Sequence, residues 1–192
     1  GIAVIERMND LGILIDLSHC GYKTTMEAIK KSTQPVAFTH ALPSGLSIQK
    51  NARNKTDEQI QALAEEGGVI GLHTWSKLGE REKGVRPSLN DFLDYIEYVI
   101  DLVGVEHVGI GSDFCPGWTR ASNISEYFEE LKRRFPELYE GYTVETKSFR
   151  DLENIPKLYN ITRGLVERGY SKTDIQGIIG LNWLHLLDRA WK

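Results

Sequence analysis

Short apolar runs alternate along the chain with longer stretches of helical period. Residues 12–18 (GILIDLS), 35–39 (PVAFT), 68–72 (GVIGL) and 107–112 (HVGIGS) are mostly apolar or Gly, the pattern of strands covered on both faces. Between them, Thr56 with Gln59 three residues on is a capping box, followed by Ile60, Leu63 and Ala64 at helical spacing and by Gly67 as a stop. The clearest helix covers residues 88–103: Leu89, Phe92, Leu93, Ile96, Val99, Ile100 and Val103 form one stripe, with Ser88 as cap and Gly104 as terminator. A shorter helix is predicted over 24–31, and Ile2, Ile5 and Met8 mark the tail of another leading into the first strand. One helix followed by four strand-helix units predicts a parallel sheet with right-handed crossovers. The last quarter reads as helical, with Ser171 and Asp174 opening a helix that carries Ile175, Ile178 and Ile179, and Trp183, Leu184 and Leu187 continuing the apolar pattern. Residues 119–147 are charged and read as a surface excursion with one helix over 125–134. There is no internal repeat and no low-complexity tract.

Composition narrows the class. With 192 residues the chain is one domain, or one plus an appendage, at about 150 residues per domain. Hydrophobic residues at 41% and charged residues at 26% exclude a disordered chain, and a net charge of -4 argues against nucleic acid as a partner. No apolar run approaches the roughly 18 residues of a membrane span. Glu6, Arg7 and Asp10 leave no signal-peptide pattern at the start, so a cytoplasmic location is expected. The chain begins at Gly1 without a Met and reads as processed or as part of something longer. Two cysteines, Cys20 and Cys115, make no disulfide framework and read as small buried hydrophobes.

The candidate chemistry sits where the strands end. The first run leads into His19, the second into His40, the third into His73 and the fourth into Asp113. Same-face residues are two apart on a strand, so His19 goes with Ile15 and Leu17, His40 with Val36 and Phe38, His73 with Val69 and Gly71, and Asp113 with Gly109 and Gly111. In a parallel sheet these four groups gather at the carboxyl rim, where α/β sheets and barrels place their ligands. Neighbouring strands are about 4.8 Å apart, so His19 and His40 should lie within about 5 Å of each other and can share a metal. A single strand-end His is as readily a satisfied structural residue; convergence of four groups is what points to a metal or catalytic cluster. His107 begins its strand, at the opposite end, and His185 lies in the terminal helix; both read as structural. Trp75 and Trp118 follow strand ends and read as loop anchors that can also wall a pocket.

Several segments, in order, resemble the C-terminal half of the membrane (renal) dipeptidase family of zinc metallopeptidases. They are Ile15-Asp16-Leu17-Ser18-His19, Phe38-Thr39-His40, Ala52-Arg53-Asn54 with Asp57, Gly67-Gly68-Val69-Ile70, Gly111-Ser112-Asp113-Phe114 and the closing Gly180-Leu181-Asn182-Trp183-Leu184. The resemblance implies an α/β fold, the second half of a TIM-type (β/α)₈ barrel with four parallel strands and flanking helices, over residues 1–192 as one partial domain. It implies a two-zinc site in the intact family, with His19 and His40 on one zinc, Asp113 assisting proton transfer, and Arg53 holding the substrate carboxylate. The reaction implied is attack of zinc-activated water on a dipeptide or related small amide. A guanidinium also suits a carboxylate independently, through its planar fork.

The chain departs from the family beside the site. It has Thr39-His40-Ala41 for Ser-His-Ser, Asp113-Phe114-Cys115-Pro116 for Asp-Phe-Asp-Gly, and His73 where the family commonly has Asn. It lacks the His-x-Asp pair, the bridging Glu and the substrate-binding His that the family's N-terminal half supplies. The chain is therefore expected to be a fragment, inactive alone, and either a homodimer or the complement of a missing N-terminal half. The alternative is a non-catalytic α/β module that binds a small ligand or a subunit.

Overall fold

The computed structural model describes residues 1–114, 124–139, 141, 143 and 145–191. Cys115 and Trp118 lie outside the described residues. The elements run α1 (Ile2–Leu11), α2 (Tyr22–Lys31), β1 (Ala37–Ala41), α3 (Asp57–Glu65), β2 (Val69–Leu72), α4 (Leu89–Val103), β3 (Val108–Ile110), α5 (Ile124–Arg134), α6 (Pro136–Tyr139), α7 (Tyr159–Glu167), α8 (Lys172–Gln176) and α9 (Asn182–Ala190). The predicted caps form: Thr56 and Gln59 exchange both bonds of the capping box, Ser88 does the same with Asp91, and Ser171 caps α8. Gly104 closes α4 at a φ of 100°, a backbone conformation that suits glycine.

The described sheet has three strands, not the four expected, in the order β1-β2-β3 and parallel throughout. The segment 12–18 lies beside β1 but makes only an isolated parallel bridge, Asp16 to Ala37. Its backbone bonds stop after Ala37 N–H to Ile15 O (2.9 Å) and Leu17 N–H to Ala37 O (2.8 Å). Beyond that point side chains replace the ladder. Thr39 N–H donates to Asp16 Oδ1 (3.1 Å) and His40 N–H to Ser18 Oγ (3.0 Å). A strand was legible here; its termination by an Asp and a Ser side chain was not.

The two faces of the sheet are covered unequally. Phe38, Ile70, Leu72 and Val108 join Ile15 and Leu17 in the main core, packed by Ile29 of α2, Ile60 and Leu63 of α3, the buried stripe of α4, and Leu165 of α7. The alternate residues Ala37 and Val69 form a smaller cluster with Leu186 of α9, with Leu14 and Trp183 against it. A Cβ on Gly109 would run into the Trp183 indole, so that glycine lets α9 approach the sheet. Trp183 Nε1–H donates to Ile110 O (3.2 Å), and Asn182 Nδ2–H donates to Val105 O (2.8 Å) and Val108 O (2.7 Å). The buried stripe of α9 is thus Asn182, Leu186 and Ala190, whereas the predicted Leu184 is 55% exposed, because polar anchoring to β3 rotates the helix away from its most apolar face. The charged excursion holds the expected helix as α5, followed by α6.

Candidate functional site

The rim at the carboxyl ends of β1 to β3 is built from one carboxylate outward. Asp16 accepts from Ser18 Oγ–H (2.5 Å), Thr39 Oγ1–H (2.6 Å), and the Ser18 and Thr39 amides. Burial would raise its pKa, but these four donors outweigh burial and hold it below the usual carboxylate value. The Thr39 hydroxyl then has no proton left for His40. His40 Nδ1, 2.9 Å from Thr39 Oγ1, must donate, and in the neutral ring Nε2 is left with its lone pair outward.

A bulge completes the aim of His40. Phe38 pairs with Ile70, but Ala41 pairs with Leu72, so β1 spends one more residue than β2 between these points. Simple alternation would send His40 with Phe38 toward the main core; a bulge re-aims a side chain. His40 Nε2 lies 2.9 Å from His19 Nε2, with ring centroids 5.0 Å apart, inside the expected distance.

Arg53 reaches the same point from the loop before α3. Its Nη2 donates to His19 Nε2 (3.1 Å) and stands 3.8 Å from Asp113 Oδ2. Burial, then the Arg53 charge and His40, lower the His19 pKa, so its ring is neutral at pH 7. Asp113 meets the histidines through Arg53 and takes a φ of 59°, a left-handed conformation that Asp tolerates better than most residues. Two imidazole lone pairs therefore face each other across 2.9 Å. That is repulsive without a proton or cation between them, and two metal–nitrogen bonds of about 2.1 Å can span it. The donor set fits zinc as two of its ligands, with Thr39 orienting one of them from behind. Among the described residues, no group of three His, Cys, Asp or Glu is placed to hold a metal.

His73 departs from the expected quartet. It is fully buried rather than presented at the rim, and its Nδ1 accepts from Trp75 N–H (3.1 Å). The ring proton is thus on Nε2, which has no hydrogen-bond partner among the described residues. Burial, then Arg53 and His40, push its pKa well below the ordinary histidine value. His107 lies at the opposite end, bonded through Nδ1 to Gly68 O (2.8 Å).

Sequence reasoning missed Asp16 and Lys55. Lys55 is fully buried, donates to Cys20 O (2.9 Å) and sits 5.0 Å from the Phe38 ring. It ties the loop after His19 to the loop of Arg53. Nothing in a lysine codon position signals this; an Asp inside an apolar run was the available signal for Asp16.

Comparison with known proteins places the chain. A profile of the membrane dipeptidase family (peptidase family M19) matches residues 1–144. The chain belongs to the membrane dipeptidase family. It is 30% identical over 188 residues to dipeptidase verJ of Clonostachys rogersoniana, covering 98% of this chain and 40% of that one. A crystal structure of an amidohydrolase from Pseudomonas aeruginosa superposes with a TM-score of 0.82 at 31% identity, over 100% of this chain and 56% of that one. A metallo peptidase from Rhodobacter sphaeroides, liganded with a phosphinate mimic of the dipeptide L-Ala-D-Ala, has the same fold at a TM-score of 0.77 and 23% identity, over 100% of this chain and 46% of that one. The chain thus spans about half or less of the length of these relatives. No helix among the described residues is long and apolar enough to cross a membrane.

Proposed function

We propose that this chain carries part of the active site of a metal-dependent dipeptidase that cleaves a dipeptide or related small amide. The observation that carries this reading is the pair of imidazole lone pairs converging beside Arg53, in a chain of the membrane dipeptidase family. His19 and His40 would hold zinc through Nε2. Zinc, when bound, supplies Lewis-acid polarisation of the scissile carbonyl and activation of the attacking water. In this reading the other ligands come from beyond the described residues or from a second copy in a homodimer.

The chain's own residues then divide the remaining work. Arg53 exchanges its contacts with His19 and Asp113 for the substrate carboxylate, which its planar fork takes with two parallel bonds. Trp75, with its ring 4.5 Å from the guanidinium carbon, keeps that fork in plane. Asp113, half-exposed at the cavity mouth, takes a proton from the nucleophile and returns it to the leaving amine. A second reading, a non-catalytic ligand-binding or subunit-interaction module, is favoured for the chain taken alone by the lack of a third ligand among the described residues.

The deciding experiment uses the full-length protein. Zinc content and hydrolysis of L-Ala-D-Ala are measured in the parent, His19→Ala and His40→Ala. The expected result is hydrolysis by the parent, with loss of zinc and of turnover in both variants. Zinc stoichiometry unchanged in both variants, or a zinc-loaded parent that cleaves no dipeptide, would refute the dipeptidase reading.

A further inference from the structure

The cavity over the rim has two chemically different ends. Its volume is about 290 Å³, near the lower limit of the roughly 300–1,000 Å³ typical of small-molecule sites. One end holds His19, Arg53 and Asp113; the other is walled by aromatic rings from three separate segments. Trp75 follows β2, Phe128 lies on α5 and Tyr139 ends α6. The Trp75 and Tyr139 centroids are 5.3 Å apart, and Tyr139 meets Phe128 edge-on at 6.5 Å. Phe128 is buried although α5 as a whole is polar, so its apolar side is turned into this wall.

The Trp75 side of the wall is anchored by hydrogen bonds. The end of the excursion is stitched to the Trp75 loop by Ser76 N–H to Lys147 O (2.8 Å), Ser76 Oγ–H to Thr146 O (2.7 Å) and Phe149 N–H to Thr74 O (2.9 Å). Trp75 is shared by both ends of the cavity: one face of the system carries the Arg53 guanidinium and its neighbour is Tyr139. A ligand whose carboxylate is taken by Arg53 therefore has its nearest side chain beside Trp75, Tyr139 and Phe128.

We propose that Trp75, Phe128 and Tyr139 form the subsite for a bulky apolar side chain on the carboxylate-bearing residue of a dipeptide, so that dipeptides ending in Phe, Trp or Leu are preferred to those ending in Gly. This rests on the dipeptidase reading for the reaction, but not for the binding. Aromatic walls contribute by burying apolar area and by edge-to-face ring contact, and a ligand ending in Gly offers neither.

The test compares Gly-Phe with Gly-Gly in the full-length, zinc-loaded protein. The kcat/KM ratio is expected to favour Gly-Phe by at least about tenfold, the discrimination that apolar pockets reach for small differences in size. Phe128→Ala and Tyr139→Ala should each lower Gly-Phe hydrolysis several-fold more than Gly-Gly hydrolysis. Calorimetric titration of the parent with free phenylalanine and free glycine gives a readout that needs neither turnover nor a variant; phenylalanine should bind more tightly. Equal rates on the two dipeptides, or a preference that survives both substitutions, would overturn the subsite and leave the dipeptidase reading standing. Tighter binding of phenylalanine with no hydrolysis of any dipeptide would sink the dipeptidase reading and keep the subsite.

Discussion

Lys55 offers a prediction whose size follows from the structure. Its side chain is fully buried, with Nζ on a single carbonyl and no carboxylate ion pair among the described residues. Burial, the largest effect, pushes its pKa down from 10.5 to about 8; Cys20 and then Asp16 pull the other way, and the Arg53 charge, the smallest of these effects, adds to the lowering. The difference of 2.5 corresponds to about 3 kcal/mol. Below pH 8 both folded and unfolded chains hold the proton, and the full cost of a buried ammonium is present. Between pH 8 and 10.5 the folded chain sheds the proton while the unfolded chain keeps it, so stability rises with pH. Lys55→Met removes this dependence while keeping the apolar stem. The stability of the parent minus that of Lys55→Met should therefore increase by about 1 kcal/mol from pH 7 to 9 and by roughly 2–3 kcal/mol from pH 7 to 10. Urea unfolding followed by tryptophan fluorescence at these pH values measures it. Packing changes caused by Met are independent of pH and cancel in the comparison. A difference that stays flat from pH 7 to 10 would show that the ammonium is not desolvated, and that Lys55 does not join the His19 and Arg53 loops as a buried strut.

Three further outcomes test the site. Thr39→Val removes the acceptor of His40 Nδ1–H, and zinc affinity, measured by competition with a chromophoric chelator, should fall roughly 10–100-fold. In dipeptide hydrolysis, Asp113→Asn should lower kcat with little change in KM, and Arg53→Ala should mainly raise KM; the reverse pattern would exchange their proposed roles. His73→Asn can still offer its side-chain oxygen to Trp75 N–H, whereas His73→Ala strands that amide. Thermal unfolding should rank Asn above Ala by about 1–3 kcal/mol, and equal stability would mean that the Trp75 bond carries nothing.

The parts of the molecule legible in the sequence are those governed by local chemistry. Capping pairs and the stripe of α4 depend on residues three or four apart, so Thr56, Gln59 and Ser88 announce their helices. The alternation of short apolar runs with helices gives a parallel sheet for the same reason. Strand-end placement brought His19, His40 and Asp113 into one reading and the family resemblance added Arg53; the structure sets these four side by side, while His73, the remaining member of the strand-end set, is buried. What escaped depends on partners distant in sequence. Leu184 is as apolar as Leu186, and only the bonds of Asn182 and Trp183 to β3 decide which of them is buried. Lys55 reads as a surface residue until Cys20 O lies over it. His73 follows the same pleat as Val69, yet the Trp75 amide turns it inward.

The end of the backbone ladder beside β1 and the position of the His40 ring proton both trace to Asp16, and one substitution should disturb both. Asp16 stands where an apolar strand residue would continue the ladder, and it satisfies the Thr39 amide that a neighbouring carbonyl would otherwise take. By taking the Thr39 hydroxyl proton as well, it forces the His40 proton onto Nδ1. Asp16→Asn keeps the size but replaces one acceptor oxygen with an amide that must donate. Of the four donors now on the carboxylate, those facing the amide nitrogen lose their acceptor. Losing one charge-assisted bond and leaving a donor unpaired should cost about 2–4 kcal/mol. The second consequence is chemical: Thr39 Oγ1–H is free to donate to His40 Nδ1, and the ring proton moves to Nε2, the atom that faces His19. Nitrogen NMR of His40 distinguishes the two tautomers directly. A variant destabilised by this amount whose His40 still carries its proton on Nδ1 would separate the two effects, and would show that the carboxylate holds the strand in place without setting the lone pair.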